Sequence, residues 1–270
     1  MEKKTDSSQV IVVTSGKGGV GKTTVVANLS TGLAQSGYMV AVIDLDIGLK
    51  KLDLILGLEN RVIYDIVQVA EGICTLKQAL VKDKRFPGLY MLPAAQTRNK
   101  EDITAGQVQQ IVDELRQSFD FIFIDCPAGI EQGFKNAIFA ADRALVVTNP
   151  EVSAVRDADR ITGILENENF KNIRLLVNRI RPEMVKNGDM LSVDDLMEHL
   201  CLELIGIVPE DNHVVISTNR GEPIILDEQA PSGLAFRNIV HRLLGEDIPF
   251  PEFDEKPSLL QRIKETLFKK

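Results

Sequence analysis

The chain has no tryptophan, only three tyrosines, three cysteines and three histidines among 270 residues. Cys74, Cys126 and Cys201 are odd in number, far apart and never in a C-x-x-C pair, which argues against a disulfide framework or a zinc knuckle. His199, His213 and His241 are equally scattered and read as solvated or structurally satisfied side chains. No apolar run approaches the roughly 18 residues needed to span a bilayer. The stretch Met1–Ser8 is polar and lacks a signal-peptide core, which predicts a cytoplasmic protein. Positive charge is also short: 31 basic against 39 acidic residues give a net charge of −8. That balance argues against a broadly nucleic-acid-coating surface, and no nucleic-acid partner is expected.

The apolar and charged fractions, 44% and 26%, are those of a soluble globular chain large enough for one substantial core. Within it, Gly16-Lys17-Gly18-Gly19-Val20-Gly21-Lys22-Thr23 matches G-x-x-x-x-G-K-[ST]. The match follows an apolar run, Val10–Val13, and precedes a helix-length stretch from Thr24 to Gln35. This is the strand–loop–helix setting of a phosphate-cradling loop. Glycines let backbone N–H groups converge on one point, and the helix N-terminus adds partial positive charge. Lys22 is placed to reach the β- and γ-phosphates, and the Thr23 hydroxyl to ligate Mg²⁺.

Further non-alternating apolar runs lie at Met39–Ile43, Phe121–Ile124, Ala144–Val147, Ile173–Val177 and Leu204–Val208. Strands covered on both faces read this way. Helix-length segments separate them: Thr104–Ser118, Gly133–Ala140, Ser153–Glu166, Ser192–Leu200 and Gly233–Leu244. The alternation predicts an α/β fold, a doubly wound, mostly parallel sheet with helices on both faces, of P-loop NTPase type. Ligands of such sheets bind beyond the carboxyl ends of the strands. The strand-end carboxylates Asp44, Asp46 and Asp125 would lie there, suited to holding Mg²⁺ or orienting an attacking water. A helix cap or turn is the plainer role for each. Lys17 is a second lysine inside the loop, which phosphate cradling does not need. It is either a solvated loop lysine or a charge that stabilises a transferring phosphoryl group, as an arginine finger does.

With Lys17 at that position, the loop resembles the deviant Walker A motif of the MinD/ParA-type P-loop ATPases. Four longer blocks are similar to the septum-placement branch of that family: Ile43–Leu49, Asp125–Glu131, Thr148–Asp157 and Asn187–Leu191. The resemblance spans almost the whole chain. It implies an ATP- and Mg²⁺-dependent ATPase that forms a face-to-face homodimer on ATP, with Lys17 crossing to the partner's nucleotide. Catalysis then falls to Lys17, Lys22, Asp46 and Asp125, the last two in switch regions, with Thr23 and Asp125 on the metal. The nucleotide would be held by residues 16–23, Thr24, Asn178 and Pro209-Glu210-Asp211. Asp157 falls where a MinE-like activator and a MinC-like inhibitor compete. Partition and flagellar-number ATPases are rivals within the same superfamily. An iron–sulfur electron-transfer ATPase is another, with Cys126 in a suitable loop but no evident second cysteine.

The charge is unevenly spread. Residues 256–270 carry +4, leaving −12 on the rest. As a helix, that tail puts Leu259, Leu260, Ile263 and Leu267 within about a third of a turn, with Phe268 on the border. Lys264 flanks this face and can snorkel. A terminal helix docked on the chain's own core is the commoner use of such a stripe. Here the acidic, three-proline stretch Gly245–Pro257 and the basic flank favour an anionic membrane surface. The expected division is a P-loop ATPase domain at 1–244, an extended, poorly packed linker at 245–257 and a membrane-targeting helix at 258–270. The protein would be cytoplasmic and peripheral on the inner face of the cell membrane.

Overall fold

The structure, a computed structural model, describes residues 7–49 and 51–251. The proposed membrane residues Leu259, Leu260, Ile263, Lys264, Leu267 and Phe268 lie outside the described residues. Eight strands form one sheet: β1 (Gln9–Thr14), β2 (Val40–Asp44), β3 (Val81–Lys82), β4 (Leu89–Leu92), β5 (Phe121–Asp125), β6 (Arg143–Thr148), β7 (Ile173–Ile180) and β8 (Glu203–Pro209). Their order is β3-β4-β2-β5-β1-β6-β7-β8. Every pairing is parallel except the short β3–β4 edge.

The two faces of the sheet are both apolar, which is why the strands read as unbroken hydrophobic runs. In β5, Phe121 and Phe123 join one buried cluster while Ile122 and Ile124 join the other. The first cluster is closed by helices Lys22–Gln35, Leu52–Ile55 and Pro231–Leu243. The second is closed by Ile66–Ala70, Ala105–Leu115, Gln132–Phe139, Val152–Asn167 and Val193–Leu200. In Val152–Asn167 the buried side chains Ala154, Val155, Ala158, Ile161, Thr162 and Leu165 recur at helical spacing. Truncating a fully buried anchor such as Phe123 to alanine would cost about 3–5 kcal/mol.

The six strands expected from apolar runs are all present, as are the six helices, with ends shifted by at most three residues. The region between residues 51 and 102 holds elements that the runs did not reveal: the β3–β4 edge and several helices of three to five residues. These are too short to show a period, but three of the short helices start with capping boxes. Asp65 with Gln68 and Thr75 with Gln78 each exchange side-chain and backbone hydrogen bonds across one turn.

Candidate functional site

The carboxyl ends of β1, β5 and β2 lie side by side at the centre of the sheet, and register pairs Asp44 with Asp125 and Val13 with Asp125. The loop after β1 therefore opens directly over the two strand-end carboxylates. Helix Lys22–Gln35 follows, entered through Gly21 at φ 102°. A side chain at Gly21 would be strained by that backbone, and its Cβ would sit 2.3 Å from Asn178 Nδ2. Gly16 is required by close approach instead: a Cβ there would lie 2.2 Å from the carbonyl oxygen of Asp157. Gly18 and Gly19 are exposed at the loop mouth, while Val20 is buried beneath it.

The two loop lysines face different ways. Lys22 is 9% exposed, and its Nζ donates to Ser15 Oγ at 2.9 Å, beneath the loop. Ser15 in turn donates to Lys17 O at 2.7 Å, which braces the loop against its own lysine. Lys17 points outward, its Nζ 3.2 Å from Glu151 Oε2 and 3.4 Å from Ser153 Oγ. Nothing local in the sequence marks Glu151 and Ser153, 134 and 136 positions away, as partners of Lys17.

Asp125 is buried, and neither carboxylate oxygen has a hydrogen-bond partner among the described residues. Burial, with the neighbouring Asp44 charge adding to it, holds its carboxyl well above the usual range, against the pull of the Thr23 hydroxyl and Lys22. An orphaned buried carboxylate beside Thr23 and Lys22 fits a hard cation carried in with a nucleotide's phosphates. Asp44 is pushed up to about 6, first by burial and then by the charges of Asp46 and Asp53, while the Asp46 and Leu52 backbone N–H groups oppose this. Asp46 lies two residues beyond β2, half-buried, its N–H donating to Asp44 Oδ1 at 3.0 Å.

A raised folded-state pKa means that the folded protein keeps its proton longer than the unfolded chain. Asp44's stabilising share is thus complete below about pH 4 and lost as the pH rises through about 6. Asp44→Asn keeps an acceptor for the Asp46 N–H and removes the titration. Without nucleotide, this variant should be more stable than the wild type by up to about 3 kcal/mol at pH 8, the difference vanishing near pH 4. Melting both proteins across that range checks this; a gap independent of pH contradicts it.

The remaining expected contacts are dispersed around the loop. Thr24 is half-buried in the first turn of the helix, its carbonyl accepting from Asn28 Nδ2 at 2.7 Å. Asn178 donates from Nδ2 to Val20 O at 2.7 Å, so it braces the phosphate loop directly. Pro209 ends β8; Glu210 is ion-paired with Arg181, which lowers its pKa. Asp211 accepts from His213 N (2.9 Å), Ser232 Oγ (2.8 Å) and Ser232 N (3.3 Å), and contacts His213 Nδ1 at 2.7 Å. Its carboxylate is thus committed to holding two helix starts in place. Asp157 lies in helix Val152–Asn167, half-buried, with its main chain against Gly16. Cys126 is 1% exposed and burial pushes its thiol up to about 12, the opposite of what a cluster-bridging thiolate requires. Among the described residues there is no group of three or more His, Cys, Asp or Glu side chains arranged to hold a metal by themselves. A cation here would depend on the nucleotide for ligands.

Residues 11–224 match the CobQ/CobB/MinD/ParA nucleotide binding domain family. The chain is 53% identical over 259 residues to the septum site-determining protein MinD of Bacillus subtilis strain 168, covering 95% of this chain and 97% of that protein. It superposes on the MinC:MinD cell division protein complex of Aquifex aeolicus with a TM-score of 0.86 and 51% identity, covering 92% of this chain and 100% of that one. The septum site-determining protein MinD complexed with Mg-ADP from Pyrococcus horikoshii OT3 gives a TM-score of 0.79 at 28% identity, over 87% and 96% of the two chains. The chain belongs to the CobQ/CobB/MinD/ParA nucleotide-binding family, as an ATPase of its septum site-determining MinD group.

Proposed function

We propose that this ATPase dimerises on ATP, binds the inner membrane face through residues 258–270, and there recruits regulators of septum placement. The observation that carries the dimer is the divergence of the two lysines. Lys22 turns into its own cradle, whereas Lys17 stands at the mouth of the loop, 44% exposed, held only by surface partners. A positive charge so placed serves a nucleotide presented from outside better than its own. When two ATP-loaded copies meet face to face, Lys17 exchanges Glu151 for the partner copy's phosphates and stabilises the charge that develops on hydrolysis. Sizing with ATP against ADP tests this, and an ATP-loaded monomer at micromolar concentration overturns it.

Within the site, Lys22 and the loop N–H groups neutralise the phosphates, and Thr23 and Asp125 would hold Mg²⁺. The metal supplies Lewis-acid stabilisation of the phosphoryl oxygens when bound. Asp46 is the group we assign to the attacking water. Asp46→Ala should therefore lose about 10²-fold or more of the stimulated turnover while ATP affinity changes little. Phosphate release measured with lipid and activator, beside equilibrium nucleotide binding, separates the two quantities. Normal stimulated turnover in the variant removes Asp46 from this role.

The septum-placement reading extends to partners. The Aquifex aeolicus relative is known in complex with MinC, and we extend a MinC-like inhibitor to this chain, together with a MinE-like activator. Both are assigned to the start of helix Val152–Asn167. There Asp157 backs Gly16, Glu151 and Ser153 hold Lys17, and Val152 is 57% exposed. A partner seated there touches the phosphate loop through one layer of protein.

A further inference from the structure

Past helix Pro231–Leu243 the sequence suggests a loose linker, yet its described part is held to the body. The helix ends in a reversal at Gly245, φ 88°, with Gly245 N–H donating to Arg242 O and Glu246 N–H to His241 O, both at 3.0 Å. His241 Nδ1 also lies 3.0 Å from Glu246 Oε2. The chain is thereby turned back toward the helix it has just left, and it meets Arg242.

The Arg242 guanidinium uses its whole fork. Nε donates to Ile248 O at 2.9 Å, Nη2 to Pro249 O at 2.9 Å and Nη1 to Ile205 O at 3.2 Å. The ring of Phe250 lies 4.1 Å from the guanidinium carbon. One side chain therefore ties three successive residues of the departing chain to β8, a strand at the edge of the sheet. Two features of β8 make that reach possible. Ile205 sits at a register shift, where Leu175 pairs with Leu204 but Leu176 with Gly206, so it is the extra residue of a bulge. Gly206 lets the helix come as close as backbone permits, since a Cβ there would lie 2.2 Å from Ile239 Cγ1. Arg242 follows Ile239 by three residues and shares its face. Ile205 lies in the first half of β8, away from the strand ends that carry the nucleotide site. The clamp therefore does no work in phosphate binding.

We propose that Arg242 is a positioning residue for the C-terminal segment, pinning residues 248–250 to the β8 edge so that the chain beyond residue 251 leaves the body from a fixed point. The inference rests on the reading of residues 258–270 as membrane-binding and adds how that segment is presented. Two tails on one dimer act as linked ligands, whose effective concentration falls roughly as the −3/2 power of linker length. Opening the clamp leaves Glu246 held to the helix end and lengthens the chain between the last body anchor and residue 258 from about 7 residues to about 11. That lowers the effective concentration about 2-fold and frees the direction in which each tail departs.

The chain contains no tryptophan, so Phe250→Trp places a single fluorescent reporter in the clamp and keeps the cation–π contact. In the full-length protein its anisotropy should be high. It should fall to that of a flexible segment when Arg242→Ala or Arg242→Lys is added, because a single ammonium cannot span three carbonyls. In liposome titrations with ATP, Arg242→Ala should raise the half-saturating lipid concentration about 2-fold with little change in melting temperature. Phe250→Ala, which leaves the helix untouched, should shift it the same way by less. Anisotropy unchanged by Arg242→Ala overturns the proposal, and so does an unchanged lipid titration alongside a fallen anisotropy. Deletion of residues 258–270 that leaves liposome binding intact overturns the membrane reading and the positioning role with it, while the anisotropy still shows whether Arg242 holds the chain.

Discussion

Lys22→Ala and Lys17→Ala are expected to fail at different steps. Lys22 turns beneath its own loop, where it is the proposed counter-charge to the phosphates, so its loss should weaken nucleotide binding by the monomer by about 3 kcal/mol, or some 10²-fold in Kd. Lys17→Ala should bind ATP as a monomer with near-normal affinity, since its ammonium faces Glu151 and Ser153 rather than the cradle. It should fail to dimerise and lose about 10³-fold or more of the stimulated hydrolysis, the scale associated with an arginine finger. Nucleotide titration, sizing with ATP and stimulated phosphate release on both variants give the comparison. Equal loss of monomer binding in the two would end the cross-subunit role of Lys17.

The second large effect concerns the tail. Removing residues 258–270 should leave a folded, ATP-binding, dimerising protein that no longer sediments with liposomes. Ile263→Glu should do nearly the same, because it puts a charge at the centre of the apolar face. On the proposed reading one tail would bury a handful of side chains, worth about a few kcal/mol, and so would bind weakly and reversibly. Two such tails on the proposed dimer would raise avidity about 10²-fold or more. Binding by the intact protein should weaken with added salt or with neutral lipids, as the basic flank loses its attraction. If the tail instead docked on the chain's own core, truncation would lower the melting temperature by several degrees and leave liposome binding unchanged.

What was legible in the sequence was local. The phosphate loop announces itself because eight consecutive residues must supply the turn, the N–H groups and the lysine. The central strands do so because burial on both faces removes polar residues from Val10–Val13 and Phe121–Ile124 altogether. The β3–β4 edge escaped because Val81–Lys82 is only two residues long and Leu89–Leu92 is interrupted by a half-exposed Tyr90. What the sequence could not show was which distant residues meet. Gly16 reads as a flexible loop glycine, yet space against the Asp157 main chain is what requires it. Asn178 and Val20 are joined across 158 residues, and Lys17 and Glu151 across 134. Such pairs are set by the order of the strands, which brings the ends of β1, β6 and β7 side by side. The Arg242 clamp was hidden for a related reason. Three prolines and several acidic residues made residues 245–257 look loose, and only the β8 bulge and the closeness of Gly206 to Ile239 reveal a partner for the chain.

The central claim is that ATP, through dimerisation, controls membrane attachment. Co-sedimentation of the full-length protein with anionic liposomes, in Mg²⁺ with ATP or with ADP, tests it most directly. The expected result is strong sedimentation with ATP and little with ADP, with Lys17→Ala at the ADP level under both conditions. Equal sedimentation with the two nucleotides, or ATP-dependent sedimentation that survives in Lys17→Ala, would contradict the account.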